Sequence, residues 1–269
     1  MANKRLWQDL TTDELRLAAS DHTVALLPLA AIEQHGPHLP LSTDLDIGLG
    51  LTDAALARLP EDFPVLVLPV VAVGLSLEHS EFAGTLSLDP QTAIASLVQI
   101  GESVARAGVK RLLFFNSHGG NRQVADLAAL TLRARYRMLV VKANYFRYAP
   151  PPNLLCADEM RHGLHGGAME TAMMMHLCPE KVRTRHLRDN QSLGLAMDRT
   201  YPHLGPEAAA SFAWMSQDLN PAGVVGNAGV ATPALGAQLV EHFAAALAAT
   251  LEETVQFDLQ WLRPGPDPA

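Results

Sequence analysis

Residues 23–44 read TVALLPLAAIEQHGPHLPLSTD, and the change of character halfway along this stretch decides the fold. Thr23 to Ile32 is almost wholly apolar. A run so short and so continuous suits a strand covered on both faces, the kind a parallel sheet uses. From Glu33 onward, polar side chains crowd the outlet of that strand: Glu33, His35, His38 and Asp44. In an extended strand end, Glu33 and His35 are two residues apart and point the same way. A solvated loop can carry such residues idly. A ligand site needs them, because in doubly wound sheets ligands gather beyond the carboxyl ends of the strands.

Outward from this stretch the same alternation repeats. Asp44 to Leu59 has helical spacing, with Ile47, Leu51, Ala55 and Leu59 on one face. FPVLVLPVVAVG (63–74) is a second buried strand whose Pro69 predicts an edge or a bulge. A helix follows, with Asp89 as N-cap and Pro90 at its first position. VKRLLFFN (109–116) is a third strand, NRQVADLAALTLRARY (121–136) a helix, and MLVVKANYF (138–146) a fourth strand. The order β-α-β-α-β-α-β predicts an α/β fold with a mostly parallel sheet flanked by helices on both faces. Three prolines at 150–152 make 147–164 a rigid loop near the site mouth. Residues 186–232 lack periodicity, and a last helix runs from Pro233 to Phe257. The N-terminus, MANKRLWQDLTTDELRLAA, reads as a polar approach and a helix. No repeat or boundary divides residues 1–269, so one domain is expected.

Composition narrows the partners. With 48 % apolar and 18 % charged residues among 269, the chain can bury a sizeable core. A formal charge of −8 and no Lys/Arg cluster argue against a nucleic-acid surface. Two cysteines, Cys156 and Cys178, make no disulfide framework and fit a reducing compartment. The absence of a secretory h-region and of any run of about 18 apolar residues predicts a cytoplasmic protein without a membrane partner.

Two further polar clusters sit at strand or loop outlets. NSHGGN (116–121) places His118 at the tip of the third strand, and Gly119 and Gly120 let the backbone turn tightly or approach a ligand closely. HGLHGGAMET (162–171) offers His165 and Glu170, the carboxylate early in a helix where the macrodipole favours it. Met173, Met174 and Met175 read as core filling. Together the clusters supply the carboxylates of Glu33, Asp44 and Glu170 and the imidazoles of His35, His118 and His165. Mixed ligands of this kind suit Zn, Mn or Fe(II). Five or six of them exceed what one ion needs and suggest two ions sharing a carboxylate. There is no G-x-S-x-G nucleophile elbow, nor G-x-G-x-x-G after the first strand.

EQHGPHLPLSTD, NSHGGN and HGGAMET, in this order and on these elements, resemble the signatures of the creatininase (creatinine amidohydrolase) family, and GVVGNAGVATPALGAQLVEHF (223–243) resembles its closing segment. The likeness spans roughly residues 20 to 245. It implies a three-layer α/β sandwich, a dinuclear metal site and a homo-oligomer, often a hexamer. By position, Glu33 and His118 would bind one metal and His35 the other, with Asp44 bridging. Creatininases complete the second metal with a Tyr-Glu pair directly after the motif histidine. Gly119 and Gly120 stand there in this chain, and Glu170 is the natural substitute. His165 matches the histidine used beside the substrate. Arg161 occupies the place of a tryptophan that walls the creatinine ring, so creatinine itself is not the expected substrate. Gly119, Gly120, Arg161 and His38 are the expected substrate-facing residues.

The activity so implied is hydrolysis of a C–N bond, in a cyclic amide or formamide, by hydroxide held between two divalent metals, with His165 delivering the proton a nitrogen leaving group needs. His38 is the runner-up for an acid–base or supporting role, with Asp46 and Glu78 behind it. Alternatives are a peptidase that trims a redox-cofactor precursor, a metal-dependent sugar isomerase, and a non-catalytic metabolite binder.

Overall fold

A computed structural model describes residues 6–263; the polar approach expected at residues 1–5 lies outside them. Four parallel strands form one sheet in the order β2-β1-β3-β4: β1 is Val24–Leu29, β2 Val65–Val67, β3 Arg111–Asn116 and β4 Leu139–Asn144. Helix α1 (Thr12–Ala18) precedes the sheet, and α2 (Thr43–Leu56), α3 (Pro90–Arg106) and α4 (Asn121–Tyr136) connect its strands. Then come α5 (Ala157–His162), α6 (Ala168–Leu177), α7 (Leu193–Met197), α8 (Ser216–Leu219) and α9 (Pro233–Gln256). A two-residue antiparallel ribbon joins β5 (Asp189–Asn190) to β6 (Gly226–Asn227).

Alternation along each strand assigns the layers. Leu26, Val67, Leu113 and Phe115 face a core shared with Ile47 and Leu51 of α2, Met173 and Met174 of α6, and Phe243 and Leu247 of α9. Ala25, Leu27, Leu112 and Phe114 face the opposite core, shared with Leu97 of α3 and Ala128 and Leu132 of α4. Helices therefore cover both faces, the three-layer α/β arrangement expected. Met173 and Met174 are fully buried, as core filling should be. Among the described helices, α9 alone is long and apolar enough to cross a membrane. Its apolar face is spent on α2 and α6.

Local chemistry explains the boundaries. Asp89 accepts from the Thr92 amide at 3.0 Å and Pro90 opens α3, while Thr232 caps α9 just ahead of Pro233. Pro69 follows β2, the edge strand. Pro28 lies within β1, where a missing N–H is usually costly. Even-numbered residues of β1 bond toward β2, and that pairing ends at Leu26 opposite Val67, so the lost donor falls beyond it. The connection through α2 leads from β1 to one side of the sheet, whereas β3 lies on the other. The outlets of β1 and β3 thus flank the point where strand order reverses, the place such sheets reserve for a ligand.

Candidate metal centre

The chain leaves β1 and runs Glu33, Gln34, His35 into a tight turn, and Asp44 returns on the first turn of α2. Ser117, next to His118, donates to the Asp44 carbonyl at 2.8 Å and locks α2 onto the end of β3. His118 follows directly, so three separate segments aim side chains into one space. Glu33, His35, Asp44 and His118 are each at most 3 % exposed.

Asp44 is the centre of the arrangement. Its Oδ2 lies 3.1 Å from His118 Nδ1, which is also 3.2 Å from Glu33 Oε2. Its Oδ1 lies 3.6 Å from His35 Nε2, which is also 3.7 Å from Glu170 Oε2. Asp44 thus faces an imidazole with each of its oxygens, and candidate ligand atoms of Glu33, His35 and Asp44 lie within 4.8 Å of one another, as do those of His35, His165 and Glu170. Glu170 is held from behind by the Gly166 amide at 2.6 Å and by Tyr145 Oη at 3.4 Å. Gly166 makes this possible with φ +67°, its N–H on Glu170 while its carbonyl accepts from His38 Nε2 at 2.9 Å. Glu159, which sequence reasoning missed, is buried beneath the same turn and accepts from the amides of Ala168 and Asn227 at 2.6 and 2.7 Å. It ties α5, α6 and the ribbon together.

Polar saturation separates the far sides of these groups from the near ones. His118 Nε2 donates to the Leu75 carbonyl at 2.8 Å, and His35 Nδ1 faces the Glu33 carbonyl at 3.2 Å. By contrast Glu33 Oε1 and Oε2, His35 Nε2 and Asp44 Oδ2 are buried with no hydrogen-bond partner. Native structures rarely leave such atoms orphaned, and four in one cluster call for an ion. The donor set, nitrogen and carboxylate oxygen with outer atoms fixed by backbone carbonyls, fits divalent-cation binding.

The electrostatics agree. Burial opposes charge on His35, yet Asp44, with Glu170 and Glu33 behind it, pushes its pKa up to about 9. His118 is likewise raised, against burial, by Glu33 and Asp44. Burial raises Glu33 and takes Glu170 up to about 7. Asp44, despite burial, is held well below the usual carboxylate range by His118 and His35. Positive charge is thus favoured among these carboxylates.

Two more imidazoles border these groups and share atoms with them. His165 donates from Nε2 to the Gln34 carbonyl at 2.7 Å, leaving the Nδ1 lone pair 3.6 Å from Glu33 Oε1. Burial and the neighbouring imidazoles hold it neutral, well below the ordinary value. His79, from the loop after β2, places Nε2 3.4 Å from the same oxygen; burial lowers its pKa to about 3. The rings of His35, His165 and His79 lie in a row with centroids 4.1 Å apart at each step, His79 stacked on His165 and His35 tilted against it.

The remaining sequence candidates take other places. His38 is fully buried and supports the Gly166 turn from behind, also meeting Thr171 Oγ1 at 3.1 Å. Gly119 has open space where a side chain would stand, whereas a Cβ at Gly120 would lie 2.3 Å from the Leu75 carbonyl. A carboxylate cannot replace Gly120 on this backbone, which leaves Glu170 as the carboxylate beside His35. Glu78 Oε1 is 3.8 Å from His118 Nε2, and Asp46 pairs with Lys181 at 2.7 Å. Arg161 is set apart: its guanidinium lies at the surface, 2.8 Å from Asp198. His79 went unrecognised in the sequence because it sits in an aperiodic loop; its nearness to Ser76 and Glu78 after a strand was the available signal.

Comparison with known proteins fits this geometry. The model of the creatininase (creatinine amidohydrolase) family matches residues 8–251. The mycofactocin precursor peptide peptidase of Mycobacterium tuberculosis (strain H37Rv) is 33 % identical over 248 residues, covering 90 % of this chain and 86 % of the relative. Creatinine amidohydrolase of Pseudomonas putida is 31 % identical over 185 residues, covering 63 % of this chain and 69 % of its own. A crystal structure of creatinine amidohydrolase superposes with a TM-score of 0.78 at 23 % identity, over 95 % of this chain and all of the other. Creatininase has been solved in a manganese form and, as a variant, in a Zn–Zn form, both on this fold. The fold, the ordered motifs and the match along nearly the whole length lead to one conclusion: the chain belongs to the creatininase family of hydrolases.

Proposed function

We propose that this protein hydrolyses an amide-type C–N bond with two divalent cations, one held by Glu33, Asp44 and His118 and the other by His35, Asp44 and Glu170. The observation that carries this reading is the shared Asp44 carboxylate, each oxygen facing a different imidazole, 3.1 Å on one side and 3.6 Å on the other. Zinc, manganese or iron in these pockets supplies Lewis acidity toward a carbonyl oxygen and lowers the pKa of water toward neutrality.

The protein's own groups do the rest. Tyr145 and the Gly166 amide orient Glu170, and the Leu75 carbonyl fixes the His118 ring so that Nδ1 faces the ligand space. His165, neutral and with a free Nδ1, takes a proton from the attacking water and returns it to the departing nitrogen, which cannot leave as an anion. Its role begins as a base and ends as an acid.

A second reading concerns the bond. Similarity to the peptidase extends over 90 % of the chain and that to the creatinine amidohydrolase over 63 %, which favours a peptide-type amide over a cyclic one. A reducing, cytoplasmic setting fits the free thiols of Cys156 and Cys178, and a homo-oligomer fits the family likeness. Reconstitution with zinc or manganese, followed by a screen of cyclic amides, formamides and short peptides, tests the proposal. Hydrolysis abolished by a chelator and restored by metal is expected. A metal-saturated protein inert on all three classes would contradict it.

A further inference from the structure

Glu33, His79 and His165 form a group whose ligand atoms lie within 4.8 Å of one another, as close as the atoms of a metal site. The hydrogen bonds around Gln34 decide what that group is. The Gln34 side-chain oxygen accepts from the Gly36 amide at 3.0 Å. Its amide nitrogen lies 2.5 Å from the Gly223 carbonyl, 2.9 Å from His79 Nδ1 and 3.2 Å from His165 Nε2. A flipped amide would set oxygen against the Gly223 carbonyl and nitrogen against the Gly36 amide, so the nitrogen is the atom that faces Gly223. His165 Nε2 gives its own hydrogen to the Gln34 carbonyl at 2.7 Å and has no lone pair to offer, so the two amide hydrogens go to Gly223 and His79.

A donated hydrogen at His79 Nδ1 requires a lone pair there, and the neutral ring must carry its own hydrogen on Nε2. That nitrogen faces Glu33 Oε1 at 3.4 Å, a buried oxygen that makes no hydrogen bond and also lies 3.6 Å from His165 Nδ1. His165 is fixed in the same tautomer from the opposite end, because its Nε2 meets the Gln34 backbone carbonyl, which can only accept. One residue thus turns two stacked rings so that one shows a hydrogen and the other a lone pair to the same carboxylate oxygen.

We propose that Gln34 is a positioning residue that fixes His165 and His79 as Nε2–H tautomers with opposite ends toward Glu33, and that His79 is a hydrogen-bond donor to this carboxylate and not a metal ligand. Its second half rests on the reading of Glu33 as a ligand of the metal centre. His79 lends a hydrogen bond and keeps its proton, since a neutral imidazole that released it would become an imidazolate. Donors of this kind behind a ligating carboxylate typically support metal affinity by a factor of about 10–100.

The test uses zinc-loaded protein with ¹⁵N-labelled histidine. The ring spectrum of His79 is expected to show a pyridine-like Nδ1 and a pyrrole-like, unligated Nε2. Gln34→Met is expected to disturb the His79 signals and leave the tautomer of His165, which rests on a backbone carbonyl, in place. His79→Leu should weaken zinc binding about 10–100-fold, and His79→Gln, which restores an N–H at the tip, should recover it with the same zinc content as the parent. A hydrogen on Nδ1 of His79, or loss of one zinc per chain in His79→Gln, would overturn the proposal. Failure of the parent protein to take up zinc would overturn the metal reading instead, while the tautomer spectrum would still judge the role of Gln34.

Discussion

At the amino end of the sheet, Arg111 is buried and its guanidinium donates to the carbonyls of Asp21, Thr254 and Phe257, at 2.6 to 2.8 Å. At the carboxyl end, Glu33 and Asp44 are buried as deeply but keep oxygens with no hydrogen-bond partner. Both ends carry ionisable groups inside the fold. The first charge is consumed by the C-terminal turn of α9, where a cation suits the exposed carbonyls of a helix end. The second set is left unspent. Burial of charge alone therefore does not mark a site; burial without saturation does.

The contrast breaks most sharply at Asp44. Replacing it with alanine should remove a ligand from both pockets, release both metals and reduce hydrolysis to background, as metal analysis and an amidase assay would show. Retention of either ion at parental affinity would mean that the carboxylate is not shared. Next in size, His165→Ala should keep its metals and lose roughly 10²–10⁴ in kcat, the usual worth of general acid–base catalysis. Unchanged turnover in that variant would remove His165 from proton transfer.

Arg111→Met probes the opposite end. Three carbonyls lose their donor, so chemical denaturation should report a loss of about 2–4 kcal/mol, with metal content and kcat unaffected. A fall in metal content there would show that the two ends are coupled and that the contrast is too simple.

Protons sharpen the comparison further, because they compete with metal only at the carboxyl end. In metal-stripped protein, His35 is raised from 6.5 to about 9 and Glu170 from 4.5 to about 7. Each holds its proton more tightly folded than unfolded. The contribution of Glu170 is complete below 4.5 and is lost as pH rises through 7; that of His35 is complete below 6.5 and is lost as pH rises through 9. Melting temperatures in chelator should fall over this range. Zinc affinity should rise about tenfold per pH unit between 7 and 9 as the His35 proton becomes easier to displace. An affinity flat with pH would place His35 outside the ligand set. Least of all should Arg161→Ala matter: its pairing with Asp198 is a surface one, contributing about 0–1 kcal/mol. A KM raised tenfold or more would bring Arg161 back to the substrate.

The sheet was readable in the chain because continuous apolar runs and helical spacing alternate without interruption from Val24 to Asn144. The ligand candidates were readable for a related reason. Glu33, His118 and Asp44 stand at strand outlets or on the turn that follows, where topology alone brings them together. His79, Gln34 and Glu159 were not readable in that way. Gln34 lies between two candidates in an extended segment, and alternation predicts that it points away from them. It does so, and meets His79 and His165 on their far sides, a contact that depends on how the loop after β2 and the turn at Gly166 fold back. Glu159 acts through backbone amides of segments more than eight residues away, which no local pattern encodes. Arg161 shows the converse limit: its position along the chain suggested the substrate, and its side chain went to Asp198.

The most direct test is anomalous diffraction at the zinc edge from crystals of the zinc-loaded protein. The account predicts two peaks astride Asp44, one among Glu33, Asp44 and His118 and one among His35, Asp44 and Glu170. A single peak, or one seated among Glu33, His79 and His165, would contradict it.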